Sequence, residues 1–176
     1  MRGEVMAFLN LLDRFCYFLV AVTRWVCIVL ATALFLIVVI AIFFRYGFGQ
    51  AVSWTEEVPR YLLVWISFLA AAVGVLQRDH VGFDVLFNAL PRSARRVLGF
   101  FLSFLIFIFG WIVFRYGITF VRDFGPDLME TIPYTNNWYY PAMPVCGFLM
   151  LVFSFKLMVD EIVRPEGAAI TGTSVD

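Results

Sequence analysis

Glu56, Glu57 and Arg60 stand just before an apolar run, and Arg78, Asp79, His80 and Asp84 stand just after it. Carboxylates, guanidinium groups and an imidazole are the groups that move protons, hold cations or pair as ions. The run between them, residues 61–76, carries no charge. Charge is costly in hydrocarbon and tolerated at its edges. The two groups therefore read as ionic collars at opposite rims of one membrane-spanning helix. They lie about a bilayer apart and cannot share one active site.

Other chemistries fare no better. His80 is the single histidine, whereas a membrane haem held by paired imidazoles needs more than one. A Ser–His nucleophile would require Ser67, about three helical turns from His80. No Gly-rich phosphate loop appears. Cys16, Cys27 and Cys146 sit in apolar surroundings without CxxC spacing and read as small buried hydrophobes, not as a metal site or disulfide. A carrier needs ionisable groups near the midplane. The span interiors offer only Thr32, Ser67, Ser103, Ser154 and glycines. Glu56 and Glu57 could take a proton or cation. The preferred reading is a rim cluster with Arg45 and Arg60, because Arg60 follows Glu57 and Glu56 by three and four residues on one helix face. His80 reads as a rim residue that orients its loop with Asp84. Ser67, Ala70, Ala71 and Gly74 give two overlapping small-xxx-small pairs, suited to close packing within the chain or against a partner. No catalytic residue, cofactor or metal ligand is expected, and no enzyme.

The elements that must position these residues are membrane helices. Of 176 residues, 62% are hydrophobic and only 15% charged, which excludes an ordinary soluble domain. The formal net charge of zero implies no pull on nucleic acid. Four spans are expected: residues 25–44, 58–76, 97–114 and 138–159. The third is rich in Phe and suits lipid and neighbouring helices. Pro59 falls in a first turn, and Lys156, late in the fourth span, can snorkel to the nearer interface. Four spans place both termini and the middle loop on one side, with nine Lys and Arg against four on the other. Both termini are therefore predicted to be cytoplasmic. Tyr134, Trp138, Tyr139 and Tyr140 form an aromatic belt on the far side.

Residues 4–23 are apolar but broken by charge. Asn10, Asp13, Arg14, Tyr17 and Arg24 share one arc, so an amphipathic helix is expected. Two placements fit it: along the membrane surface, which is preferred, or as a tilted extension of the first span. No cleaved signal peptide is expected. The middle loop, residues 77–96, is expected to rest on the membrane surface. Residues 1–165 read as one membrane domain and residues 166–176 as a disordered tail. Phe44-Arg45-Tyr46-Gly47 recurs as Phe114-Arg115-Tyr116-Gly117, a weak hint of duplication.

Arg45-Tyr46, Trp54-Thr55-Glu56-Glu57, Arg60-Tyr61, Trp65, Phe68, Arg78, His80 and Asp84-x-Leu86 occur in this order. Leu90-Pro91 and Trp138 with Pro141-x-x-Pro144 continue the series. The ordered set resembles the DctQ family, the small membrane subunit of tripartite ATP-independent periplasmic (TRAP) transporters. Ala70 stands where the family pattern suggests glycine. The resemblance implies an inner-membrane accessory subunit with two protein partners. One is a large elevator-type permease subunit driven by sodium. The other is a periplasmic solute-binding protein that captures a carboxylate-bearing solute. The small subunit would extend the stationary scaffold, with Arg45, Trp54, Glu56, Glu57, Arg60, Ser67, Ala71, Gly74, Arg78, His80 and Asp84 serving rims and packing among membrane lipids. Asp123, Asp127 and Glu130 are candidates for docking the binding protein. The rival expectations are a stand-alone small transporter and a membrane anchor for another complex.

Overall fold

The computed structural model describes residues 2–49, 52–77 and 92–163. Four long helices carry the described chain: α1 (Arg2–Gly47), α2 (Trp54–Gln77), α3 (Arg92–Phe124) and α4 (Ala142–Val163). A single 3-10 turn, Asn136–Trp138, precedes α4. All four are long and apolar enough to cross a membrane.

α1 is one unbroken helix, so the extension, not a separate surface helix, is the form the N-terminal segment takes. The reason is local: no Gly or Pro stands between Gly3 and Gly47 to interrupt the ladder. Asn10, Arg14, Tyr17 and Arg24 keep the expected exposed arc, but Asp13 is half-buried. Asp13 to Arg45 covers about 48 Å of helix at 1.5 Å per residue. A hydrocarbon core of about 30 Å accommodates that length only through tilt or protrusion. The helix ends where Phe48 N–H donates to Phe44 O (3.1 Å) and Gly49 adopts φ 69°, a left-handed turn that favours glycine.

α2 starts a turn earlier than the apolar run suggests, because Thr55 N–H and Glu56 N–H bond back to Val52 O and Ser53 O. Pro59 therefore lies inside the helix, and the Thr55 carbonyl loses its helical donor. α3 runs ten residues beyond the predicted span. Its last turns are polar but helix-compatible, with Arg115 donating to Thr119 Oγ1 at 3.0 Å. α4 starts later than predicted. Trp138 belongs to the 3-10 turn, and Pro144 falls in the first turn of α4, where no backbone donor is needed.

The helices order as α1, α2, α4, α3. α4 packs on α3 and α2, α2 packs on α1, and α1 meets α4 over a smaller area. The core lies along α4, where Cys146, Phe153 and Leu157 meet Leu69, Ala72 and Val75 of α2 and Cys16 of α1. α1 and α3 form the edges and present large apolar residues outward, Trp25 and Phe35 from one and Phe101 and Trp111 from the other. In a bilayer those surfaces meet lipid or a partner, not water.

Candidate functional site

The site that organises one end of the row is built on Glu57. It sits in the first turn of α2 and is 2% exposed. Its Oε1 accepts from the backbone N–H of Glu130 (2.9 Å), and its Oε2 from that of Thr131 (2.8 Å). The hydroxyls of Thr131 and Tyr61 donate to it as well. Four donors thus converge on an acceptor-only carboxylate, which fastens the α3–α4 loop to α2. The loop is also tied to itself: Asn136 N–H donates to Asp127 O at 2.9 Å, and Met129 N–H to Tyr134 O at 2.8 Å. Trp65 Nε1 donates to Trp138 O at 3.1 Å. A chain of ring contacts then links α2 to α3, running from Tyr61 through Tyr139 and Tyr140 to Phe120, with centroids 4.5–4.9 Å apart.

The expected cluster of Glu56 and Glu57 with Arg45 and Arg60 is only partly assembled. Arg45 pairs with Glu56, and both side chains are more than half exposed. Glu57 turns away to the loop, and Arg60 is exposed without an ion pair to either glutamate. The reason is angular. Adjacent helical residues point about 100° apart, so only one of the two carboxylates can meet the loop. Trp54, Asp123, Asp127 and Glu130 are exposed. Arg78, His80 and Asp84 lie outside the described residues, as do most of the middle loop and residues 166–176.

The small residues of α2 divide between two surroundings. Ser67 and Ala70 are exposed, and the Ser67 hydroxyl donates back to Leu63 O. Ala71 and Gly74 are half-buried, while Ala72 is fully buried. Glycines bring two other helices, α3 and α4, into close contact. A Cβ added at Gly117 would stand 2.9 Å from Pro144 N, and one at Gly147 would stand 2.7 Å from Phe114 Cα. Gly47, the counterpart of Gly117 in the repeated tetrapeptide, would meet only Phe43 at 3.9 Å. The two copies are not used alike.

Lys156 does not snorkel. It is 2% exposed, with its Nζ 2.6 Å from Asp160 Oδ2 and 3.1 Å from Asp13 Oδ1. The i,i+4 spacing of Lys156 and Asp160 is visible in the sequence. The approach of Asp13 from α1 is not, because it depends on the helix extending past residue 25.

Four apolar helices, a rim aromatic chain and a locked loop define a multi-pass α-helical membrane protein. Its residues 34–164 match the family model for the DctQ component of tripartite ATP-independent periplasmic transporters. The chain belongs to that family, whose members are small permease subunits of transporters and not enzymes. It is 29% identical over 130 residues to the sialic acid TRAP transporter permease protein SiaT of Haemophilus influenzae, covering 73% of this chain and 21% of SiaT. A second protein of Haemophilus influenzae, described by name as a TRAP transporter small permease, is 28% identical over 143 residues. That match covers 77% of this chain and 84% of the relative. The C4-dicarboxylate TRAP transporter small permease protein DctQ of Vibrio cholerae is 23% identical over 143 residues, covering 68% and 61%. The chain thus spans about a fifth of SiaT and most of the separate small permease.

Proposed function

We propose that this chain is the accessory small subunit of a TRAP-type secondary transporter in the inner membrane. It binds a large permease subunit and enlarges the stationary scaffold against which an elevator-type transport domain moves. The observation that carries the reading is the open row of helices. Its edge helices α1 and α3 face outward with bulky apolar residues, and α2, inside the row, still exposes Ser67 and Ala70. Small residues let a second helix come close. Relatives are consistent with such contact: SiaT carries the matching region within a much longer permease. The chain's residues 1–165 act as one membrane unit with both termini in the cytoplasm. The Glu57-locked loop then faces the periplasm. Sodium coupling and the solute site belong to the large subunit. Two of the three relatives carry a solute in their names, sialic acid for one and C4-dicarboxylate for the other, which supports a carboxylate-bearing solute here.

Two measurements test this. Co-expression with the large permease should give one detergent-stable complex, and vesicles holding both should take up solute with the binding protein and a sodium gradient. Vesicles holding this chain alone should show no flux. Flux without the large subunit would replace the reading with a stand-alone carrier.

A second expectation concerns Asp123, Asp127 and Glu130, all exposed beside the locked loop. They form part of the dock for the solute-binding protein. Reversing all three charges to Lys should raise the binding-protein concentration for half-maximal uptake about tenfold, the effect of losing roughly 1.4 kcal/mol of encounter energy. An unchanged concentration dependence would remove these residues from the dock.

A further inference from the structure

α3 carries one line of residues that the other described helices leave exposed. Phe101, Phe104, Ile108, Trp111, Arg115 and Arg122 follow one another in steps of three, four or seven, so they share one face of the helix. All six are exposed. The face points away from the bundle, because Gly117 packs on Pro144 of α4 and stands about 200° round the helix from Arg115. The first four residues are apolar and suit lipid. The two cations need an anion, since arginine keeps its charge. Among the described residues neither Arg115 nor Arg122 forms an ion pair. Asp123, next in sequence to Arg122, projects about 100° away from it.

The direction of Arg115 points to where that anion lies. About 20 residues cross the hydrocarbon, so a helix entering at Val97 leaves it near Arg115. Helical side chains lean toward the N-terminus, which from Arg115 is toward the bilayer centre. Its guanidinium turns the other way and donates to Thr119 Oγ1 at 3.0 Å, one turn nearer the rim. The Thr119 hydroxyl is itself fixed, donating to Arg115 O at 3.3 Å. Most of the five guanidinium N–H donors are left for a ligand. Arg122 stands about 10 Å further along the axis, and the usual lean carries it back toward Thr119. Two forked cations thus converge at the membrane rim, where lipid phosphates lie. Phe104 is about 16 Å below Arg115, close to the depth of one leaflet.

We propose that Arg115 and Arg122 seat the phosphate of an anionic phospholipid, with Thr119 positioning Arg115 and the acyl chain lying along Trp111, Ile108 and Phe104. A cationic pair above an apolar stripe one leaflet deep matches both ends of such a lipid, whereas a partner's carboxylate would use only the pair.

The full-length chain, delipidated in mild detergent, is titrated with phosphatidylglycerol, and bound lipid is counted by native mass spectrometry. Arg115→Gln with Arg122→Gln should weaken the tightest site about thirtyfold, the effect of two basic contacts. Thr119→Val should weaken it about fivefold, the effect of one hydrogen bond. Unchanged binding in the double Gln chain overturns the seat, and lost assembly with the large subunit in that chain would assign the pair to a partner's carboxylate instead. Inorganic phosphate at the same concentration should displace no lipid. Displacement would mean that the apolar stripe contributes nothing, and would overturn the lipid as occupant. Should the double Gln chain fail to fold, Arg115→Lys with Arg122→Lys decides, since it keeps both charges. Phosphatidylglycerol held at least about tenfold more tightly than phosphatidylethanolamine supports the seat, and equal retention of the two overturns it. The readout uses neither transport nor the large subunit, so its outcome is independent of the scaffold reading.

Discussion

Glu57→Ala will release the α3–α4 loop while leaving the four helices in place. The substitution strands two backbone N–H groups, of Glu130 and Thr131, and the hydroxyls of Thr131 and Tyr61. A hydrogen bond to a charged group contributes about 1.5–3 kcal/mol, and a donor left unsatisfied costs about 1–3 kcal/mol. Water entering at the rim recovers part of this, so the net cost is about 3 kcal/mol, roughly a hundredfold in the open population of the loop. Chymotrypsin cleavage after Tyr134, which is exposed in the loop, reads that population directly. Glu56→Ala is the matched control. Its carboxylate makes one exposed ion pair, worth about 0–1 kcal/mol, and cleavage should hardly change. Equal effects from the two glutamates would show that Glu57 does not hold the loop.

The same substitution separates a scaffold role from a coupling role. Glu57→Gln keeps the size of the side chain but turns an amide NH2 toward groups that are themselves donors. The loop should loosen, by about 1–2 kcal/mol, and assembly with the large subunit should weaken. The sodium dependence of uptake by the complexes that do form should stay as it is. A changed sodium requirement in an intact complex would make Glu57 part of the coupling site.

How much of this could be read from the chain alone depends on what decides each feature. The four helices were legible, because runs of some twenty apolar residues have one economical solution in a bilayer. Their ends were not. Hydropathy marks where hydrocarbon stops, whereas α3 continues as a helix through Arg115, Thr119 and Arg122 into a polar environment. The first helix was ambiguous for a related reason. A surface helix and an extension of the span share the 3.6-residue period, and only the lack of a breaker between Gly3 and Gly47 favours the second. Glu56 and Glu57 are indistinguishable as neighbours in sequence. They part company because the loop that Glu57 holds arrives from residues 130–131. Lys156 looked like a snorkelling rim residue because its partner on α1 lies at the other end of the chain. The small-xxx-small spacing points to α2, yet Gly110, Gly117 and Gly147 of α3 and α4 are where an added Cβ would meet the backbone of a facing helix. Composition shows where small residues are, not which of them meet a backbone.

Gly147→Ala will separate α3 from α4. The added Cβ would stand 2.7 Å from Phe114 Cα, closer than carbon atoms pack, and the obstacle is backbone, not a side chain that can rotate away. α3 must therefore move as a unit. Overpacking of this kind typically costs about 1–3 kcal/mol, and the upper end applies here because Gly110 and Gly117 bring the same two helices together on either side of the contact. The loop ties at Glu57 cannot compensate, since they hold the α3–α4 loop to α2 and do not join α3 to α4. Unfolding in detergent, followed by Trp111 fluorescence on α3, should show the midpoint falling, and Gly117→Ala should act in the same direction against Pro144. Gly47→Ala is the contrasting case. Its Cβ would make one ordinary contact with Phe43 at 3.9 Å, so stability should change by less than about 0.5 kcal/mol. If Gly47→Ala and Gly117→Ala were equally damaging, the repeated Phe-Arg-Tyr-Gly tetrapeptide would mark two equivalent packing positions, and the close approach of α3 to α4 would not be what selects glycine. The unequal outcome expected here assigns the glycines by the backbone each one faces.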